Sequence, residues 1–582
     1  MKIVTVRRLS QVFFFTVFIW FCIVTTQGTR WWQLRGWPVN LFLRLDPLVA
    51  IGTILSTHRL YAPLLWALVT VVLTILFGRF FCGWVCPFGA LHQFVGFLGN
   101  RKKPLAKRLQ LNKYRKAQCI KYFVLIFFLA SAAVPMLGWA WLQTGLLDPI
   151  PLVTRSINLT LLPIVDSLTG TISATPRYYQ GACLVLGLFF AALFLNLLIP
   201  RFYCRFICPL GALLAILSRF AIWRIGKNTS ECSNCKLCEK ACEGACEPAS
   251  QIKISECVLC LNCLDSCKDN VISYQPMPSL AGEVTNPDIS RRGFILSLTS
   301  GVFAVPAVRL AGKLADNWPH KLIRPPGALS EAEFLKRCLK CGQCIRICPT
   351  NVLQPAGIEF GMEALWTPVL NNRIGTSGCQ LNCTACSYVC PTAAIRPITL
   401  SEKLGLGEFA EAGPIRIGTA FVDRSRCLPW AMDKPCIVCQ ENCPLSPKAI
   451  YTEEVFNTVR DGSLAVKKIS ALKIETVEKI MQPGKFATGD YYCAAGESKR
   501  AKITSNTENS IELAPNAALE KTLGIGDKIE VQVRLQRPHV DIEKCIGCGV
   551  CQHECPVSGK RAIRVSADGE TRNPERKILL DT

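Results

Sequence analysis

The sequence predicts two kinds of structure in one chain: an α-helical membrane unit of four helices with an internal repeat, and small α+β domains built around cysteine. Three observations carry this reading. Four long apolar runs lie in the first 225 residues, at about 10–27, 63–81, 119–139 and 181–200. Within that stretch the motif C-x-x-x-C-P occurs twice in matching surroundings. Of the 33 cysteines, 24 fall into six groups of four, most of them spaced C-x-x-C-x-x-C-x-x-x-C.

Each apolar run is long enough to cross a bilayer core as a helix of roughly 20 residues. Buried helices of a soluble protein are disfavoured by the basic flanks of all four. Those flanks also set the orientation. Lys2, Arg7 and Arg8 precede the first run; Arg101, Lys102, Lys103, Lys107, Arg108, Lys113, Arg115 and Lys116 follow the second; Arg201, Arg205, Arg219, Arg224 and Lys227 follow the fourth. The opposite side has only Arg30, Arg35, Arg44, Arg59, Arg155 and Arg177. By the positive-inside rule, both ends of residues 1–225 are cytoplasmic, in a multi-pass protein of a bacterial inner membrane. Trp31 and Trp32 suit the outer interface. The first run has no small-residue cleavage site of the kind a signal peptide carries.

The repeat aligns Arg79-Phe80-Phe81-Cys82-Gly83-Trp84-Val85-Cys86-Pro87 with Arg201-Phe202-Tyr203-Cys204-Arg205-Phe206-Ile207-Cys208-Pro209. Upstream, Leu45-Asp46-Pro47-Leu48 matches Leu147-Asp148-Pro149-Ile150. Two parallel halves imply a pseudo-twofold axis along the membrane normal. On such an axis Cys82, Cys86, Cys204 and Cys208 converge, as a redox-active thiol set, as a four-thiolate metal site, or as structural thiols at helix ends; spacing does not choose among these. Asp46 and Asp148 are placed towards the outer surface, as turn formers or as proton acceptors for a quinol head group.

The cysteine quartets have the ligand count and spacing of [4Fe-4S] clusters, six in all. Three cysteines in a tight turn each reach one iron, and the fourth iron takes a remote Cys. Zinc ribbons need two C-x-x-C pairs instead, and closely spaced turn cysteines rarely suit disulfide geometry. The ligands are Cys232, Cys235, Cys238 and Cys242; Cys257, Cys260, Cys263 and Cys267; Cys338, Cys341, Cys344 and Cys348; Cys379, Cys383, Cys386 and Cys390; Cys427, Cys436, Cys439 and Cys443; and Cys545, Cys548, Cys551 and Cys555. The first two groups make one compact two-cluster domain at 226–275, cytoplasmic like the chain end before it. Its expected wiring is crossed: Cys232, Cys235 and Cys238 with Cys267, and Cys257, Cys260 and Cys263 with Cys242. Cys246 rivals Cys242 for that place.

Ser290-Arg291-Arg292-Gly293-Phe294-Ile295-Leu296 opens a modest apolar stretch, so 288–313 reads as a twin-arginine export signal or a fifth membrane helix. A domain filled with clusters has to be assembled before it crosses, which fits that route. Residues 325–582 are then periplasmic and hold four clusters, interrupted at about 456–538 by a β-rich insertion with alternations such as Lys528-Ile529-Glu530-Val531. Cys22, Cys119, Cys183 and Cys493 read as packing residues.

The formal charge of +24 overstates basicity, because six clusters with their thiolates remove about 12 charges. Much of the rest flanks the apolar runs, so membrane lipid and not nucleic acid is the expected partner. There is no C-x-x-C-H for haem attachment, and no dinucleotide fingerprint or P-loop. Only His58 and His92 lie in the membrane unit, too few to ligate two b-type haems.

With these motifs in place, residues 1–275 resemble the NapH-type membrane ferredoxins, on the apolar runs, paired C-x-x-x-C-P and two-cluster domain. Residues 288–582 resemble the NapG/MauM-type four-cluster periplasmic ferredoxins, on the twin arginines, the four quartets and Cys427-Leu428-Pro429-Trp430 leading to Cys436-Ile437-Val438-Cys439. Their fusion, and the insertion, depart from both. The resemblance implies that quinol from the membrane pool is oxidised and that electrons pass to a periplasmic reductase, of nitrate reductase type, or to a cytochrome; as an enzyme this is a quinol dehydrogenase component. A maturation or redox-sensing factor for a periplasmic metalloenzyme is the other function the MauM-like half allows. The resemblance also implies a pairing outside: Cys338, Cys341 and Cys344 with Cys555; Cys545, Cys548 and Cys551 with Cys348; Cys379, Cys383 and Cys386 with Cys443; and Cys427, Cys436 and Cys439 with Cys390.

Overall fold

The computed structural model describes residues 3–27, 37–101, 103–133, 144–171, 173, 175–228, 232–285, 287, 289–314, 322–470, 472–496, 499–515, 523–576 and 578. Trp31 and Trp32, and the charges at Lys2, Arg30, Arg35 and Lys102, lie outside the described residues. The chain forms two units, residues 1–371 with 382–415, and residues 372–381 with 416–582. The division therefore falls inside the segment 325–582 that the sequence reading treats as one domain.

The first unit begins with α1 (Ile3–Gln27), α2 (Pro47–Thr57), α3 (Ala67–Phe77), α4 (Pro87–Asn100), α5 (Ile120–Ala133), α6 (Pro149–Ser156), α7 (Ala182–Leu198) and α8 (Pro209–Ser218). A helix stands at each of the four apolar runs. Two helices are long and apolar enough to cross a membrane, Ile3–Thr26 and Lys116–Ala133. The other two runs are cut short by local chemistry. Gly78, at φ +80°, ends α3 in a conformation that favours glycine, and Pro200 stands two residues past the end of α7, where a helix cannot continue.

The repeated Asp-Pro and Cys-Pro pairs act as helix starters. Asp46 caps α2, its carboxylate accepting from the amides of Leu48 (2.9 Å) and Val49 (3.4 Å). Cys86 and Cys208 cap α4 and α8, their sulfurs accepting from Gly89 N (3.3 Å) and Gly211 N (3.1 Å). In each case proline follows at the first helical position, where its missing N–H is no loss. Phe88, Leu48, Val49, Ile150, Val153, Leu210 and Leu214 from both halves share one buried core.

Two cysteine-rich segments sit at opposite ends of α1. At one end Arg7 donates to Asn262 Oδ1 (3.1 Å). At the other, Arg346 Nε donates to Thr26 Oγ1 (2.6 Å). Nineteen helical steps from Arg7 to Thr26 span about 28 Å, close to the thickness of a bilayer core. The basic segments hold the 232–267 region: Arg79 donates to Ser255 O (3.0 Å), Trp84 Nε1 to Leu259 O (3.1 Å) and Asn112 to Lys240 O (2.6 Å). The acid- and base-poor segments hold the 336–366 region: Ser56 donates to Lys336 O (2.8 Å), Arg155 to Lys340 O (3.1 Å), and the Arg155 guanidinium lies 4.1 Å over the Trp366 ring. Glycine is required on both faces. A Cβ on Gly83 would stand 2.4 Å from Val258 O, and one on Gly145 would stand 2.0 Å from Leu339 O. Gly83→Val is expected to loosen the 232–267 domain while the helical core stays folded, read as faster proteolysis confined to residues 228–284.

The 232–267 region is framed by β1 (Arg224–Lys227) paired antiparallel with β2 (Ile272–Gln275). From there α9 (Arg291–Leu314), which begins with the twin arginines, runs parallel to α5; Gly293 lies against Phe123, and a Cβ on Gly301 would stand 2.5 Å from Phe127 O. The chain then reaches α10 (Glu331–Arg337), α11 (Gln343–Ile347), the β3–β4 pair (Leu353–Pro355 with Pro368–Leu370) and α12 (Ala385–Tyr388), which packs on α11.

In the second unit β5 (Thr419–Val422) pairs with the last strand, β12 (Ile563–Ser566). Between them β6 (Ile450–Ser470), β7 (Lys473–Thr476), β8 (Tyr491–Ala495), β9 (Lys499–Asn506), β10 (Ser510–Leu513) and β11 (Lys528–Val540) close a barrel in the order β8-β9-β10-β7-β6-β11. Its interior is filled by Cys493, Ile511, Ile529, Val531 and neighbours. The long β6–β11 ladder ends with Ile450 opposite Val540, so the barrel leaves and rejoins the domain at one place.

Candidate metal centres

Five sets of cysteines join thiols of one motif with a thiol of another. In the first unit Cys238 lies within electrostatic reach of Cys232 and Cys267, and Cys263 of Cys260, Cys257 and Cys242. Near the other end, Cys338, Cys341 and Cys344 face Cys390. In the second unit Cys443, Cys545, Cys548 and Cys551 line a cavity of about 320 Å³. Cys427, Cys436, Cys439 and Cys555 line another of about 360 Å³.

Cys246 is drawn into the second of these quartets. Its sulfur lies 3.3 Å from Cys242 Sγ. Hydrogen bonding with Cys246 holds Cys242 and Cys257 below the ordinary thiol range, while the same bonds push Cys246 far above it.

Most of the other thiols are held high by burial. Cys238, Cys439 and Cys548 are pushed up to about 12 by burial, and nearby thiols add to the effect. Such groups become thiolates only when a cation is bound among them. Among the described residues no three His, Cys, Asp or Glu side chains stand close enough to share a single ion. Four thiols around a cavity, as at the two sites of the second unit, are the donor set of a cube of iron and sulfide.

Four more thiols meet inside the helical unit. Cys86 lies within reach of Cys82 and Cys204, and Cys208 of all three. Cys82 stands in a π turn (Phe81–Val85) before α4, while Cys204 stands in the short helix Phe202–Phe206 before α8. The buried guanidinium of Arg79 approaches Cys82 Sγ (3.9 Å), and that of Arg201 donates to Cys82 O (3.3 Å). Arg201 also binds Glu243 (2.8 Å). Lys121 is buried against Glu256 at 2.5 Å, and Gln118 (2.8 Å) and Tyr122 (3.0 Å) bond the same carboxylate. Burial alone would raise the Glu256 carboxyl; Lys121 and Arg79 bring it below its ordinary value.

Comparison with known proteins agrees with this geometry. Residues 60–106 and 182–228 match a family described as a 4Fe-4S binding domain, each segment containing one C-x-x-x-C-P. Further 4Fe-4S binding domains match at 335–354 and 536–557. The methylamine utilization ferredoxin-type protein MauM of Methylorubrum extorquens is 35% identical over 167 residues, 27% of this chain and 69% of the relative. The chain belongs to the NapH/MauM family of ferredoxin-type electron-transport proteins. The ferredoxin-type protein NapH of Escherichia coli is 26% identical over 286 residues, 46% of this chain and 87% of the relative. An uncharacterized protein of Methanocaldococcus jannaschii is 30% identical over 219 residues, 37% of this chain and 72% of the relative. No solved structure matches this chain.

The pairing expected from the NapG/MauM resemblance is corrected. Cys390 completes the first outer triplet, where Cys555 was expected, and Cys555 completes the third, where Cys390 was expected. Cys443 completes the fourth triplet, not the second. The reason is in the strand pairing. The barrel closes on itself at Ile450 and Val540, so the third and fourth motifs fold as neighbours despite the insertion, tied by β5–β12. Of the second motif, Cys383, Cys386 and Cys390 belong to the first unit, whereas Cys379 belongs to the second, its amide donating to Cys548 O (2.7 Å).

Asp46 and Asp148 do not face the outer surface. Both are fully buried and lie within electrostatic reach of each other. Each sits at the start of a helix whose first turn faces the other half, and this turns both side chains inward. Two buried carboxyls so near each other disfavour ionisation of both. Of the solitary cysteines, Cys22 and Cys493 are buried, Cys119 half-buried and Cys183 exposed. The sequence reading treated Arg79 and Arg201 as anonymous or topological charges. Their place at the head of each repeat was the signal that they serve the cysteines.

Proposed function

We propose that this family member oxidises quinol from the membrane pool and delivers the electrons singly, through six [4Fe-4S] clusters, to a periplasmic reductase or cytochrome. The carrying observation is the placement of quartets at both ends of α1, one helix length apart. Basic segments hold one group and base-poor segments the other, which supports a cytoplasmic place for 226–290 and a periplasmic place for 325–582. Bound at these quartets, clusters supply one-electron carriage. In this reading α9 is a retained anchor, lying along α5 with its twin arginines on the cytoplasmic side.

Quinol oxidation also releases two protons. In this reading the Asp46–Asp148 pair accepts one of them and the other passes to water; Asp148 lies beside Tyr203, whose hydroxyl donates to Leu147 O. Asp148→Asn is expected to slow reduction by quinol about 10²-fold while leaving reduction by dithionite unchanged.

The test is anaerobic purification of the full chain followed by a menaquinol or ubiquinol analogue. Bleaching of the iron–sulfur absorption near 400 nm, with reduced-cluster signals in electron paramagnetic resonance, is the expected result. Clusters that dithionite reduces and quinol does not would overturn the quinol reading and favour the maturation or sensing role.

A further inference from the structure

We propose that Cys82, Cys86, Cys204 and Cys208 together hold one more iron–sulfur cluster, a seventh redox centre that joins the inner and outer quartets. The proposal rests on the reading of this chain as an iron–sulfur electron carrier, and not on quinol as its donor.

Three observations carry it. Two repeats each supply two thiols, so neither half can complete a four-thiolate site alone. The four sulfurs nonetheless lie within mutual reach in the buried core. Like the ferredoxin quartets, the set brings four thiols from two motifs together, which is the donor count of a cube. Finally, Arg79, Arg201 and Lys121 surround them with buried positive charge. A cluster with four thiolates is a net anion of about −2, and removing such a charge from water without partners is prohibitive. Capping sulfurs at the starts of α4 and α8 add amide donors to Cys86 and Cys208. Such donors are one means by which proteins tune cluster potentials.

The position explains why a site belongs there. On one side Arg201 lies within reach of both Cys204 and Cys260. On the other, Tyr203 reaches Cys204, Cys208 and Arg155, and Arg155 reaches Cys341. The set is thus one side chain from the inner quartet and two from the outer one. One electron leaves the reduced cluster on one side, which is oxidised. The seventh centre is reduced by that electron, then reoxidised as the cluster on the far side is reduced. No bond is made or broken and no proton is required.

The experiment is the iron and acid-labile sulfide content of the full chain, reconstituted anaerobically in detergent. The wild type should hold about 28 irons, and Cys82→Ser or Cys204→Ser about 24. Because both repeats feed one site, the double variant should lose no more than either single variant. A wild type at about 24 irons, losses that add in the double variant, or an equivalent of zinc in place of iron would each overturn the proposal. If a variant fails to fold, alkylation of the wild type decides. Cys82 and Cys204 should resist a small thiol reagent in the loaded protein and react after the iron is stripped; labelling of the loaded protein would overturn it. None of these readouts uses quinol, so a failed quinol reduction leaves this site standing, and an absent seventh cluster leaves the quinol reading standing.

Discussion

Lys121→Met should destabilise the protein by about 3–5 kcal/mol, because it strands a buried carboxylate. Lys121 and Glu256 are both buried and 2.5 Å apart. The remaining bonds from Gln118 and Tyr122 are neutral, and Arg79, the other cation near Glu256, makes its hydrogen bond to Ser255 O instead. The loss falls at the seat of the 232–267 domain, since Glu256 immediately precedes Cys257. The double variant Lys121→Met/Glu256→Gln should recover part of the stability, as it removes the stranded carboxylate while Arg79 keeps its bond to Ser255 O. Denaturant unfolding of the four proteins of this cycle measures it. A single variant as stable as the wild type would show that the pair is hydrated, contrary to its burial.

Cys390→Ser should remove the same cluster as Cys338→Ser, although 52 residues separate the two positions. Each single variant should lose about four irons, and the double variant no more. Cys338→Ser combined with Cys555→Ser should lose about eight, because those two thiols serve different quartets. The pairing first inferred from the resemblance makes the opposite forecast for both doubles. Iron content together with the disappearance of individual resonance signals on stepwise reduction distinguishes them. On the proposed route a carrier is interrupted, so delivery to a periplasmic acceptor should fall to background in every one of these variants.

Much of the site was legible because ligand chemistry is local. A C-x-x-C-x-x-C run is a property of a few consecutive residues, and the convergence of Cys82, Cys86, Cys204 and Cys208 follows from a repeat visible along the chain. What was misread depended on partners distant in sequence. The remote fourth ligands are assigned by strand pairing, and nothing near Cys443 announces that an insertion will bring Cys545 back beside it. Asp46 and Asp148 each looked like a surface turn when taken alone. Their burial follows from the two halves facing one another. Arg155, Tyr203 and the Lys121–Glu256 pair carry no motif at all, because a buried ion pair or a bridging ring is defined only by its surroundings.

The sequence by itself determined the class of chemistry, the four apolar segments, the uneven distribution of basic residues between them, and the cysteines available as ligands. These depend on residue type and short spacing. Only the tertiary structure decided which thiols share a quartet, where the chain divides into units, and that buried arginines and a tyrosine lie between the cysteine sites. Those outcomes depend on which surfaces meet when the two repeats close and the barrel returns to its starting point, and packing of that kind is a property of the whole fold.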